Sequence, residues 1–367
     1  MTKASDCHIQ KPEDDLMKTR IFKMNPDNPD IKALQTCADI IKHGGTVAFP
    51  TETVYGLGAN ALDTNAVKKI FKAKGRPGDN PLILHISKIS DIEKYAVDFN
   101  EKARMLAKIF WPGPLSIILP RKNTVPDAVT GGLDTVAFRI PSNKIARELI
   151  SLSGVPIAAP SANLSGKPST TEGSHVVEDL FGKVDAIIDA GKCRVGLESS
   201  VVDMVSSPPA VLRPGGIPFD KIRMIIPTLI KEYSISETTA PRSPGMKYKH
   251  YSPEAQVIIV KGTVAKTIHK INSLTQKNPK TGVLCSVETI EDYVSLNKIC
   301  IGSRENSEEI AANIFDSLRM FDKLDVEIIY TEYFGAGPMG DAIMNRLLKA
   351  SSHKVIHLES DNKTTIK

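Results

Sequence analysis

The 367-residue sequence has few aromatic residues, no long apolar run and no close pair of cysteines. Aromatic residues make up 5% of the chain, with one tryptophan, and no stretch approaches the roughly eighteen apolar residues that a membrane span needs. The cysteines lack zinc-finger spacing, so we expect reduced thiols and no metal framework. We predict a soluble, cytosolic protein. The five cysteines are Cys7, Cys37, Cys193, Cys285 and Cys300.

Common metal and nucleotide signatures are also missing. None of the eight histidines belongs to an HExxH arrangement, so a protein-ligated catalytic metal is not expected, and the GxxxxGK[ST] pattern of a Walker loop does not occur. The 47 basic and 42 acidic residues leave a net charge of +5, which is only mildly basic. Small anions are therefore the expected primary partners, and RNA stays possible.

The sequence does contain α/β patterning. Short β-prone runs alternate with helical or glycine- and proline-rich stretches over the first 220 or so residues, and polar residues gather at the ends of these runs. A similar pattern returns near the C-terminal end, and the length favours two domains. We predict a flexible extension over 1–25, an α/β catalytic domain over 26–228, a linker over 229–253 and a smaller α/β domain over 254–367.

The stretch Lys72–Pro81 is a cationic loop that holds two glycines and two prolines. Neither a helix nor a central strand tolerates such a run. Apolar spacing predicts a helix over Asn65–Ala73 before the loop and an extended segment over 81–86 after it. Two interpretations are equally supported: the lysines offset the dipole of a helix capped by Gly75, or the loop binds an anion.

Several predicted strands end in residues suited to ligand binding. A strand beginning at Thr46 is predicted to continue to Gly58, with Thr51 and Thr53 each favoured as a residue on a solvated face. In the strand 135–141, alternation puts Arg139 on the face opposite Phe138, where it either forks onto a carboxylate or phosphate or is simply exposed.

Two loops add hydroxyl, amide and cationic groups. The turn 160–168 follows a buried strand and suits either a phosphate cradle or a helix cap. The end of the linker, residues 241–253, is rich in basic residues and tyrosine, so we predict a lid that docks on an anionic ligand. His85, alone on its strand, is more typical of a structural histidine.

Four ordered motifs resemble the YrdC-type threonylcarbamoyl-AMP synthases in their two-domain form. They are PTETVYG at 50–56, KAKGR at 72–76 followed by NPL at 80–82, SAN at 161–163, and SPGMKYKHYSP at 243–253. The resemblance implies a twisted mixed-sheet YrdC-like catalytic domain joined to a smaller Rossmann-like α/β domain. It also implies an enzyme that converts L-threonine, bicarbonate and ATP into threonylcarbamoyl-adenylate and pyrophosphate, with Mg²⁺ accompanying the nucleotide. The product would serve N6-threonylcarbamoyladenosine formation in tRNA, so tRNA and downstream threonylcarbamoyl-transferase proteins are possible partners.

The resemblance also implies roles for individual residues. Those expected to contact ATP are Arg76, Asn80, Thr135, Ser161, Ser169, Arg213 and Tyr251. Those expected to contact threonine are Thr53, His85, Arg139, Ala159 and Ser199. Lys72, Lys74 and Arg76 are the expected catalytic cations near the triphosphate. Thr170 and Tyr248 are nearby alternatives to Ser169 and Tyr251, and the sequence identifies no general base.

Two further hypotheses belong to other classes. A non-catalytic module could grip tRNA or double-stranded RNA; the basic linker favours it, whereas the mild net charge and the absence of RRM or dsRBD patterns count against it. A carbamoyl-adenylate enzyme related to hydrogenase maturation would need acylphosphatase and zinc-finger regions that the sequence lacks.

Overall fold

The structure is a computed structural model that describes residues 18–233, 251–358 and 364–366. Most of the predicted lid lies outside these ranges, including Tyr248, and so does most of the predicted N-terminal extension. Within the described ranges the strands form two sheets, one for each region of α/β patterning. In this part of the chain none of the helices combines the length and apolar character needed to cross a membrane.

The larger sheet has eleven strands within the described residues. These are β1 (Arg20–Lys23), β2 (Val47–Phe49), β3 (Gly56–Asn60), β4 (Ile83–His85), β5 (Leu115–Pro120), β6 (Thr135–Arg139), β7 (Ile157–Ala159), β8 (Ala186–Asp189), β9 (Ser200–Asp203), β10 (Ala210–Arg213) and β11 (Ile230–Lys231). Their order is β1-β8-β2-β3-β7-β4-β6-β5-β9-β10-β11. The sheet is mixed: pairs such as β4/β6 and β5/β9 are parallel, and pairs such as β4/β7 and β5/β6 are antiparallel.

Helices and turns connect these strands and bury both faces of the sheet. Ala48 belongs to one hydrophobic core, whereas Val47 and Phe49 belong to the core on the opposite face, as period-two alternation requires. The helices are α1 (Ile31–Lys42), α2 (Thr64–Lys74), α3 (Ile92–Tyr95), α4 (Glu101–Phe110), α5 (Asp127–Thr130), α6 (Lys144–Ser153), α7 (Gly173–Leu180) and α8 (Phe219–Arg223).

The second sheet is smaller and almost entirely parallel. Its strands are β12 (Gln256–Lys261), β13 (Thr281–Cys285), β14 (Asn297–Cys300), β15 (Ile328–Glu332), β16 (Val355–Leu358) and β17 (Thr364–Ile366), in the order β14-β13-β15-β12-β16-β17. Only β17, at one edge, pairs in the antiparallel direction among the described strands. The accompanying helices are α9 (Val264–Thr275), α10 (Ser307–Phe321) and α11 (Gly340–Ala350). The predicted fold class, a mixed-sheet domain with a smaller Rossmann-like α/β domain, is confirmed.

Helices α10 and α11 pack against the first domain. Val54 and Leu197, from the first domain, belong to the same hydrophobic core as Ile314 of α10 and Leu347 of α11. Apolar burial therefore continues across the junction between the two domains.

Three local predictions need correction. The strand predicted over 46–58 is two antiparallel strands, β2 and β3, because the Thr51 hydroxyl bonds to the carbonyl of Val54 (2.6 Å) and turns the chain. The extension predicted to residue 25 is shorter, since β1 pairs in parallel with β8. The linker predicted from 229 begins later, since β11 pairs with β10. The thiols of Cys37, Cys193, Cys285 and Cys300 are free, as predicted.

Candidate active site

A cleft opens where strand ends of the larger sheet meet the turn 51–55. The walls combine hydroxyls, guanidinium groups, an imidazole and one carboxylate, which suits a polar, anionic ligand rather than an apolar one. Nine of the residues expected from the sequence line it: Thr53, Arg76, His85, Arg139, Ala159, Ser161, Ser199, Arg213 and Tyr251.

The sheet register brings His85 and Arg139 together. Strands β4 and β6 are parallel neighbours with His85 opposite Arg139. Phe138, next to Arg139, lies in the core on the other face, so the predicted alternation of this strand is confirmed. Both side chains are about 3% exposed, and the imidazole and the guanidinium therefore share one desolvated pocket.

Three neighbours hold the Arg139 guanidinium. Its Nη2 lies 2.8 Å from Oε1 of Glu52 and donates to Oγ1 of Thr53 at 3.0 Å. Its Nε donates to the carbonyl of Gly113 at 3.4 Å. Among the described residues nothing accepts from Nη1, so this nitrogen is available to a ligand. Thr51 and Thr53 are buried, not on the predicted solvated face, and their hydroxyls are 2.8 Å apart.

His85 is uncharged at neutral pH. Burial, and then the positive charge of Arg139, lower the pKa of His85 to about 3. Its Nδ1 lies 3.2 Å from the carbonyl oxygen of Ile83, which can only accept, so the ring donates a proton there. A group with this pKa is a poor general base near pH 7, because it holds a proton too weakly.

A second wall of the cleft, the Ser199/Arg213 wall, is built around these two residues. The Arg213 Nε and Nη2 donate to the Ser199 carbonyl at 3.1 and 2.9 Å, and Nη2 also lies 3.1 Å from the Ser199 hydroxyl. That hydroxyl is 2.8 Å from the hydroxyl of Ser116 on β5. The arginine and the serine are thus fixed relative to each other at the ends of neighbouring strands.

Glu198 is the carboxylate of the cleft, and motif reasoning did not identify it. Its Oε1 accepts from the Ser169 hydroxyl at 2.7 Å and its Oε2 from Nε of Arg346, on α11, at 2.8 Å. Burial alone would raise the pKa of Glu198, but Arg346, then Arg213 and the Ser169 hydrogen bond outweigh it and hold the pKa at about 2. The carboxylate is therefore ionised at neutral pH.

Tyr251 lines the cleft and has an unusual backbone angle. Its φ is 64°, in the left-handed region that few non-glycine residues adopt. Its ring stacks on Phe315 of α10 with a centroid distance of 5.1 Å, and the guanidinium of Arg346 lies 5.6 Å from its centroid. Burial, and then Glu198, raise the pKa of Tyr251 to about 12, so its hydroxyl keeps its proton.

The lysines of the cationic loop 72–81 do not line the cleft, although the composition of the loop suggested an anion site. Helix α2 ends at Gly75, whose φ of 61° is the left-handed cap that the sequence predicted. Lys72 is exposed and does not line the cleft. Lys74 is buried and donates to the carbonyls of Ser161 and Asn163 at 2.5 and 2.6 Å. Burial, and then Arg76, hold its pKa well below the usual range.

Three predicted ATP contacts lie outside the cleft lining. Asn80 is fully buried, and neither its Oδ1 nor its Nδ2 has a hydrogen-bond partner among the described residues. Thr135 begins β6, four residues and roughly 13 Å of strand from Arg139. Ser169 is buried behind the wall and is occupied by Glu198. Its alternative Thr170 is also buried, and within the described structure its hydroxyl has no partner.

Comparison with known proteins places the chain in a family. A family model described as telomere recombination matches residues 39–215, and one described as threonylcarbamoyl-AMP synthase, C-terminal domain, matches residues 217–352. The threonylcarbamoyl-AMP synthase of Pyrococcus abyssi is 49% identical over 326 residues, which cover 88% of this chain and 95% of that protein. The chain belongs to the threonylcarbamoyl-AMP synthase family. The Bacillus subtilis protein of the same name is 47% identical, over 87% of this chain and 93% of that one.

A solved structure supports the same family. The crystal structure described as P. abyssi Sua5 complexed with L-threonine superposes with a TM-score of 0.88 at 47% identity, and the match covers 93% of this chain and all of that one. The resemblance to threonylcarbamoyl-AMP synthases inferred from four short motifs is therefore confirmed, and it extends through both domains.

Motif reasoning missed three charged residues of this family member, Glu52, Glu198 and Arg346. Glu52 lies inside a motif, so its position signalled importance, but its partner Arg139 is far away in sequence. Glu198 precedes the predicted Ser199 and could have been examined with it. Arg346 occurs in an ordinary amphipathic helix, and no local pattern distinguishes it from a surface arginine.

Proposed function

We propose that this chain forms threonylcarbamoyl-adenylate from L-threonine, bicarbonate and ATP, with release of pyrophosphate. The observation that carries the proposal is the full-length similarity to proteins named for this activity, at 49% identity over 95% of one of them. The polar cleft with two fixed guanidinium groups is consistent with substrates that carry carboxylate and phosphate.

The pocket around Arg139 is the proposed threonine site. The available Nη1 of Arg139 would donate to the substrate carboxylate, a charge-assisted bond of about 1.5–3 kcal/mol. Thr53 and the neutral His85 would contact the rest of the amino acid, with Ala159 and Ser199 completing the site. A neutral imidazole suits this position, because a second cation would compete with the substrate ammonium.

The rest of the polar cleft lining is the proposed ATP site, which adjoins the threonine site at Ser199 and Arg213. Arg76, Ser161, Arg213 and Tyr251 line it, and Asn80 would rotate to bring its amide to the nucleotide. We assign Lys74 to holding the 161–163 turn in place, because its nitrogen already donates to two carbonyls there. Thr135 and Ser169 could reach ATP only if the surrounding segments shifted.

The reaction places negative charge on phosphate oxygens. The neutral threonine amine adds to the carbon of bicarbonate and water leaves, which gives a carbamate. A carbamate oxygen then bonds to the α-phosphorus of ATP as the bond to the bridging oxygen breaks and pyrophosphate leaves. Fixed guanidinium groups stabilise the charge that develops, and alignment of three substrates in one cleft removes much of the entropic barrier. His85 is a poor base for the amine near neutral pH, because burial and Arg139 lower its pKa to about 3.

Mg²⁺ is the cofactor we expect, carried by the triphosphate. Both oxygens of Glu198, the carboxylate that lines the cleft, already accept hydrogen bonds. Among the described residues no cluster of three or more His, Cys, Asp and Glu side chains is arranged to hold a metal ion. The triphosphate oxygens would hold Mg²⁺, which would offset the negative charge of the nucleotide when bound.

The product would be consumed by tRNA-modifying transferases in the cytoplasm, and tRNA itself is a possible further partner. The decisive experiment measures pyrophosphate release by the full chain with all three substrates and Mg²⁺. We expect release that requires both threonine and bicarbonate, together with a product of the mass of threonylcarbamoyl-adenylate. Tight RNA binding without turnover would instead favour a non-catalytic RNA-binding module.

A further inference from the structure

We propose that Arg346, on helix α11 of the second domain, is a positioning residue of the cleft that neutralises Glu198 and thereby allows a polyphosphate to bind. The inference rests on the proposed function for the identity of the polyphosphate, ATP. It gives the second domain a defined part in the site of the first.

Arg346 contacts the chain beside two residues of the cleft, Ser199 and Arg213. Its Nε donates to Glu198, which directly precedes Ser199, and its Nη1 donates to the carbonyl of Pro214, which directly follows Arg213, at 2.9 Å. Its side chain is 0% exposed. One guanidinium from the second domain thus holds the chain beside both residues of the Ser199/Arg213 wall.

Neutralisation matters because Glu198 faces the cleft. A carboxylate is an unfavourable lining for a site that receives a polyphosphate, and water screens such a charge poorly in a desolvated cleft. Arg346 offsets that charge from behind the wall, outside the cleft lining. Without it, Glu198 would repel the phosphates and would compete with Ser199 for the Arg213 guanidinium.

A different buried pair across the same domain junction serves as the matched control. Arg319 of α10 donates to Asp179 of α7 at 2.7 Å; its side chain is 4% exposed and that of Asp179 is 0% exposed. Neither residue lines the cleft. Asp179 also accepts from the backbone N–H of Leu164, so it keeps a partner when Arg319 is removed. Loss of Arg319 therefore weakens docking of the domains without adding a free charge to the cleft.

The test compares four full-length proteins: the wild type, R346M, R319M and the double variant E198Q/R346M. Calorimetry with ATP alone gives Kd for ATP, steady-state pyrophosphate release gives kcat and KM, and thermal unfolding checks the fold. We expect R346M to weaken ATP binding about 100-fold and to raise KM for threonine by less, because Ser199 adjoins Glu198 whereas Arg139, the proposed carboxylate partner, keeps its own contacts. We expect E198Q/R346M to recover ATP affinity to within about fivefold of the wild type, because it removes the uncompensated carboxylate.

The R319M control separates the effect of an unpaired Glu198 charge from the effect of weaker docking between the two domains. R319M should lower the unfolding temperature about as much as R346M but change Kd for ATP less than about threefold. Equal loss of ATP affinity in R319M and R346M would overturn the proposal, as would a folded double variant that binds no better than R346M. If R346M does not fold, the double variant is compared with the wild type alone: ATP affinity within about fivefold supports neutralisation of Glu198 as the role of Arg346, and a larger loss overturns it.

The readouts also separate this inference from the proposed reaction. A wild type that binds ATP but shows no threonine-dependent turnover would count against the reaction alone, and the order of ATP affinities would still decide the role of Arg346. A wild type that does not bind ATP would overturn both.

Discussion

The two sides of the cleft are built in different ways. On the proposed threonine side, Arg139 is held by Glu52 and Thr53, and all three belong to the first domain. On the proposed ATP side, Glu198 is held by Arg346, which lies 148 residues away on a helix of the second domain. The first side is therefore expected to survive changes at the domain junction, whereas the second depends on that junction.

The largest expected effect is the loss of threonine binding when Arg139 is removed. Arg139→Ala removes the proposed carboxylate contact, so we expect KM for threonine to rise by about two decades, from one or two charge-assisted bonds at about 1.4 kcal/mol per decade. KM for ATP should change less than about threefold, because Arg139 contacts no residue of the ATP side. Steady-state pyrophosphate release with each substrate varied in turn measures both KM values, and an equal rise in the two would reject the assignment.

A second variant controls for the fold of Arg139→Ala. Removal of Arg139 leaves the Glu52 carboxylate buried without its cation, which typically costs about 3–5 kcal/mol of unfolding free energy. In Glu52→Gln/Arg139→Ala that charge is absent, so we expect most of the stability to return. Threonine affinity should stay low, because the contact is still missing. Recovery of both would mean that Arg139 acts only through stability.

A smaller expected effect is the pH dependence of the unfolding free energy, in which His85 on the threonine side and Glu198 on the ATP side act in different pH ranges. The folded pKa of His85 is lowered to about 3 from 6.5, so its contribution to stability is complete above pH 6.5 and is lost as the pH falls towards 3. Between pH 7 and pH 5 this should remove about 2 kcal/mol of unfolding free energy. The folded pKa of Glu198, about 2 against 4.5, places its loss in the lower window between pH 4.5 and pH 2.

Urea unfolding at pH 7 and pH 5, followed by circular dichroism, measures that difference. We expect His85→Gln to remove most of the pH dependence in this range and Glu198→Gln to leave it nearly unchanged. The same pH dependence in His85→Gln as in the wild type would show that His85 accepts a proton freely in the folded protein.

The local residue pattern correctly predicted helix α2 and the strand that holds Arg139 on the threonine side of the cleft. The helical spacing of 65–73 and the alternation of 135–141 depend on neighbouring residues, and the structure has α2 at Thr64–Lys74 and Arg139 on the expected face. The turn at 51–54 was missed because threonine favours strands, whereas here a Thr51 hydroxyl bond takes the place of strand pairing.

The other side could not be predicted, because its decisive contact is tertiary. In the sequence, Arg346 resembles any arginine on an amphipathic helix, because its contact with Glu198 depends on how α11 packs against the first domain. Strand β8 shows the same limit: it is a short apolar run whose importance comes from pairing with both β1 and β2. The sequence motifs contain most of the residues that line the cleft, but not the residue of the second domain that holds Glu198.

The smallest expected effect concerns the loop that the composition made most conspicuous. Lys72 is exposed and outside the cleft lining, so it can act on ATP only through a solvent-screened field. We expect Lys72→Met to raise KM for ATP at most about threefold at low salt, and the ratio to the wild type should approach one at about 0.2 M salt, where the Debye length falls below about 8 Å. Steady-state pyrophosphate release at both salt concentrations measures this. A tenfold loss of kcat that persists at high salt would return Lys72 to the catalytic cations, since only a short-range contact resists screening.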